Sequence, residues 1–128
     1  LLSGTSNGQE ECHERYKSGE YKGFMACSAS TLVMLQDPLK VRDAKGVVSI
    51  PNSKDPIPNV LVEFRNANGI IIATKTDSRG RFQFRHLKEG TYMFKITLSG
   101  FSSVVGTVVL DGAVNNPDVI SLEMPLGV

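Results

Sequence analysis

From Lys40 to the C-terminus, apolar and polar residues alternate in short runs with a period of two. Val60, Val62 and Phe64 share one phase, with Leu61 and Glu63 on the other. Ile70, Ile72 and Thr74 continue the pattern, and Phe82 and Phe84 are set against Arg81, Gln83 and Arg85. Tyr92, Phe94, Ile96 and Leu98 alternate with Met93, Lys95 and Thr97, and Ile120, Leu122 and Met124 close the series. Successive side chains of a strand point to opposite faces, so each run offers one apolar face to a core. Between the runs, Gly69, Gly80, Gly90, Gly100 and Gly112 recur every ten to twelve residues. That turn spacing marks an all-β sandwich or barrel.

The punctuation between runs agrees. Asn68-Gly69 predicts a type I′ hairpin, whose two central residues need positive φ. Asp77-Ser78-Arg79-Gly80 predicts a second tight turn, with the Asp carboxylate accepting from backbone amides and Gly80 free to take positive φ. Gly106, inside the run Ser103 to Leu110, predicts a bulge. Pro38, Pro51, Pro56, Pro58 and Pro117 all fall between runs or at their starts, where a missing N–H costs no ladder bond.

The first 23 residues are polar and lack periodicity. Residues 31–36 suit a strand, although Ala26, Ala29 and Val33 would also fit a short helix. Charge changes near Asp37-Pro38: residues 1–38 hold three basic and five acidic side chains, the remainder eleven and eight. We therefore divide the chain into an N-terminal extension, 1–38, and a β-sandwich, 39–128. The expected fold is all-β: a seven-stranded antiparallel Greek-key β-sandwich with an N-terminal disulfide-linked extension.

With 128 residues the chain is long enough for one domain with a core and too short for two. Its net charge of +1 gives no bulk attraction to nucleic acid, and no apolar run is long enough to insert in a membrane as a helix. Cys12 and Cys27 are its only cysteines. An even pair in polar, Gly-containing sequence reads as a disulfide and so as an oxidising compartment; the bland reading is two unrelated buried thiols. The chain opens Leu1-Leu2-Ser3-Gly4 without Met, as expected of a product whose leader has been removed. Secretion, the periplasm or the cell surface is the expected location.

Gly46-Val47-Val48, Pro56-Ile57-Pro58-Asn59-Val60-Leu61-Val62, Thr76 to Phe84, Leu87-Lys88-Glu89-Gly90-Thr91-Tyr92 and Gly100-Phe101 occur in that order. In these pieces the chain resembles the carboxypeptidase regulatory-like domain, a member of the transthyretin-like β-sandwich group. The resemblance implies the fold and little about function, since such domains serve as spacers, adhesion elements or extensions beside enzymes and transporters. Leu87-x-x-Gly90-x-Tyr92 also has the form of a tyrosine corner, whose phenol bonds back to the preceding arch.

Catalytic patterns are absent from the sequence. His13 and His86 stand in no nucleophile or zinc motif, Cys12-His13-Glu14 lacks the paired spacing of a metal site, and no cofactor motif is present. The wider fold includes a hydrolase of a urate oxidation product, but its C-terminal Tyr-Arg-Gly-Ser has no counterpart in Met124-Pro125-Leu126-Gly127-Val128. An intramolecular isopeptide would need Lys45, Asn115 or Asn116, and a buried Glu63, yet the alternation puts Glu63 on the phase opposite Val62 and Phe64. Among Lys75, Arg79, Arg81, Arg85, Lys88 and Lys95, the shared outer phase of Arg81, Arg85 and Lys95 predicts a cationic face for an anionic ligand; the plain alternative is a solvated face. The expected role is a non-catalytic module with a protein or polysaccharide partner. Carbohydrate binding or adhesion is one alternative, weakened by the absence of Trp, and an oligomeric carrier of small ligands is another.

Overall fold

The computed structural model describes residues 33–114 and 119–127, so Cys12, Cys27 and the expected disulfide lie outside the described residues. Nine strands form within them: β1 (Val33–Leu35), β2 (Leu39–Val41), β3 (Lys45–Ser49), β4 (Leu61–Arg65), β5 (Ile71–Lys75), β6 (Arg81–Gln83), β7 (Gly90–Thr97), β8 (Ser103–Leu110) and β9 (Ile120–Glu123). One sheet has the order β1-β8-β7-β4-β5, with β2 also on β8, and the other has the order β6-β3-β9. No helix among the described residues is long and apolar enough to cross a membrane.

Two features correct the expected architecture. The described strands number nine rather than seven, and both sheets are mixed rather than antiparallel. β1 and β2 each run parallel to β8, and β3 runs parallel to β9. β1 and β2 behave as one interrupted edge strand. Gln36 N–H still donates to Val105 O at 2.8 Å, after which Asp37 and Pro38 break the ladder and pairing resumes at Leu39↔Val108. Pro38 has no N–H to give. Of the 31–36 segment, Val33–Leu35 is strand and Gln36 lies beyond it.

The alternation is realised as burial. Val60, Val62, Phe64, Tyr92, Phe94, Ile96, Ile120, Leu122 and Met124 are all core residues. Ile70 instead stays exposed at the hairpin tip. At the centre, the Phe64 ring meets Phe84 at 4.7 Å, Tyr92 at 6.0 Å, and Phe82 and Phe94 at 6.4 Å between centroids. Phe64 and Phe94 come from one sheet and Phe82 from the other, so this cluster joins the layers. Offset and edge-on contacts of this kind add to what burial alone provides.

Gly106 does not make a bulge. The β7–β8 register is unbroken from Gly90↔Leu110 to Ile96↔Val104, with Phe94 opposite Gly106. A Cβ at Gly106 would lie 2.8 Å from the Phe94 ring. The glycine is there so that a phenyl ring can lie over its backbone.

The β4–β5 hairpin also differs from the type I′ expectation. Gly69 N–H donates to Asn66 O at 3.0 Å, so Ala67 and Asn68 are the central residues. Only Gly69 among them has positive φ, at 83°. This is a type I turn followed by a left-handed glycine. Asn66 selects it: its side-chain oxygen accepts from Asn68 N–H and Ile70 N–H, both at 2.9 Å.

Candidate functional site

The same turn plan recurs where the chain leaves β5 for the other sheet. Gly80 N–H donates to Asp77 O at 2.9 Å, Gly80 has φ +72°, and Asp77 Oδ1 accepts from Arg79 N–H and Arg81 N–H at 2.8 and 2.9 Å. Asp77 thus occupies the position of Asn66, and Gly80 that of Gly69. Backbone donation from Arg81 and then Arg79 holds the Asp77 carboxyl below its usual range, with both guanidinium charges adding to it. Gly80 has a second constraint, since a Cβ there would fall 2.6 Å from Val48 O. Beside this turn, buried Thr76 accepts Val60 N–H at 2.9 Å and donates to Ile57 O at 2.7 Å.

Arg81 leaves the turn as the first residue of β6, pointing outward with Gln83 while Phe82 enters the core. Lys45 faces Gln83 across the β3–β6 ladder, and Lys75 ends β5 just before the turn. Together with Asp77 and Gly46 they line a groove of about 380 Å³ that reaches from the three-stranded sheet to the end of β5. Phe82 lies beneath it, and exposed Val119 forms an apolar rim. Asp77 is the only carboxylate of the lining among the described residues, and its Oδ2 stands 3.8 Å from Arg81 Nε. Among the described residues, no carboxylate pairs with Lys45 or Lys75.

The structure does not bring Arg81, Arg85 and Lys95 to one face. Arg81 lines the groove. Arg85 lines an adjoining cleft of about 200 Å³ with Arg42, Asp43 and His86, and Gln83 lines both. Lys95 lies in β7 of the other sheet, where Glu63 Oε1 takes its Nζ at 3.2 Å. Those two side chains are only 15% and 18% exposed, and neighbouring Val105 is fully buried although it is outside the core cluster. Lys95 therefore offers a ligand little free charge. Its pairing also takes Glu63 out of the core, as the isopeptide chemistry would not allow; Asn115 and Asn116 lie outside the described residues.

The cationic face expected from phase omits Lys45 and Lys75, although Lys75 belongs to the same run of basic residues. Their membership is invisible locally because Lys45 sits 36 residues from Arg81 in the chain. The available signal was Gly46-Val47-Val48, which marks β3 as a strand whose first residue faces outward.

Tyr92 and Gly90 are structural. Tyr92 Oη donates to Lys88 O at 2.8 Å, closing the arch that enters β7, and Gly90 has φ +144°. His86 holds a left-handed conformation at φ +62° in the arch. No group of three or more metal-ligating side chains occurs among the described residues.

Two layers of short strands, entered by Asx-Gly turns and closed by a tyrosine arch, define a small β-sandwich. The chain belongs to the carboxypeptidase regulatory-like domain family, whose pattern matches residues 44–123. No curated protein matches it. Solved structures similar to it include BcpA, the major pilin subunit of Bacillus cereus, at 14% identity and TM-score 0.49, covering 66% of this chain and 28% of that one. Another comprises the CBM51-2 and INT domains of Clostridium perfringens ZmpB in complex with GlcNAc, at 16% identity and TM-score 0.42, covering 74% of this chain and 22% of that one. The chain thus spans less than a third of either protein.

Proposed function

We propose that this chain is a non-catalytic interaction module working outside the cytoplasm, whether secreted, periplasmic or on the cell surface. The observation that carries this reading is how its polar groups are used. Asp77 builds a turn, the Tyr92 phenol closes an arch, and Glu63 pairs with Lys95. These side chains hold the scaffold together, and what the described surface offers is charge and shape. Membership of a family whose domains accompany many different proteins supports the same reading. In it, residues 39–128 are the module and 1–38 an extension that lends an edge strand.

The test is the intact mass of the natively produced protein before and after reduction and alkylation. A deficit of two hydrogens, restored by reduction, is expected for a Cys12–Cys27 bridge formed in an oxidising compartment. Two free thiols would overturn the proposed location.

A further inference from the structure

We propose that the groove formed by Lys45, Lys75 and Arg81 is a docking site for an acidic peptide segment of a partner protein, a proposal that rests on the interaction-module reading. Among the described residues the lining carries three cations and one carboxylate, in a chain whose overall net charge is only +1. Asp77 offsets one of the three cations. One carboxylate oxygen is engaged by two backbone amides, and the other leans toward Arg81 alone. Lys45 and Lys75 are left to recruit an anion from outside.

The lining side chains are nearly all donors: two ammonium groups, a guanidinium and the Gln83 amide. A fork-shaped guanidinium beside ammonium groups suits carboxylates. Peptide is favoured over acidic saccharide by two features of the groove. Its one aromatic residue, Phe82, is buried in the core, so no ring face is offered for a sugar to stack on. β6 is also an edge strand, paired only with β3; Asp77 takes both backbone groups of Arg81 on that edge, which leaves Gln83 to offer its backbone to an extended peptide. The apolar rim at Val119 gives such a segment one hydrophobic contact.

The experiment is fluorescence anisotropy with fluorescein-labelled hexaglutamate on the whole chain at low salt, beside hexaglutamine and a labelled oligogalacturonate. Saturable binding of hexaglutamate alone is expected, weakened by rising salt because exposed charges are screened. The variant K45E/K75E should bind at least about tenfold more weakly, as reversal of contact charges requires, with its thermal midpoint unchanged. K40E, altered in β2 of the other sheet, should bind within about twofold of wild type by the same argument. Absence of hexaglutamate binding would overturn the proposal. So would equal loss in K40E, which would mean unspecific attraction. Oligogalacturonate binding as tightly, and lost in K45E/K75E, would overturn the peptide and make the groove a glycan site. None of these results touches the module reading, which the mass measurement tests separately.

Discussion

Replacing Thr76 by Val removes one hydroxyl and nearly preserves shape, at the point where the chain crosses between sheets. Thr76 is 3% exposed. Its Oγ1 accepts from Val60 N–H at 2.9 Å and donates to Ile57 O at 2.7 Å, and both of those residues are buried. Valine would leave a buried N–H without a partner and remove the hydroxyl donor from a buried carbonyl. Each such loss costs about 1–3 kcal/mol, so we expect T76V to destabilise by about 2–4 kcal/mol. Serine keeps both bonds and loses one methyl, about 1 kcal/mol. Because the chain has no Trp, the assay is urea unfolding followed by far-UV circular dichroism, with the slope required to stay constant between variants. In a thermal scan each kcal/mol corresponds to about 4–8 °C for a domain of this size. If T76V proves as stable as T76S, the hydroxyl does not hold the crossing and the reasoning fails.

G106A should destabilise by about 1–3 kcal/mol, because its methyl must displace the packed Phe94 ring; an unchanged urea midpoint would show that the strand accommodates a side chain there. The carboxyls of Asp77 and Asp111 titrate below their ordinary value of 3.8, chiefly because backbone amides donate to them. The unfolded chain therefore protonates first as pH falls, so the stability these groups contribute is complete above pH 3.8 and lost through the lower folded values. Replacing both with Asn should make the decline in urea midpoint between neutral and acid pH shallower. An identical decline would place the acid sensitivity elsewhere.

What the sequence determined is the part of the fold that local geometry dictates. Alternation at Val60–Phe64, Tyr92–Leu98 and Ile120–Met124 separated core from surface because the pleat inverts every residue. Asx and Gly at the right offset also marked where the chain turns. The type of the first turn depended on the Asn66 side chain reaching two amides beyond it, while Gly106 depended on a ring from the neighbouring strand. The parallel pairings of β1, β2 and β9 join segments far apart in the chain, which no local period records. The cationic residues show the division most sharply. Arg81, Arg85 and Lys95 share an outward phase, and each indeed avoids the core. Phase, however, states only which side of its own strand a residue occupies. Tertiary structure decided that β6 and β7 lie in different sheets, which sent Lys95 to Glu63 and brought Lys45 and Lys75 to Arg81.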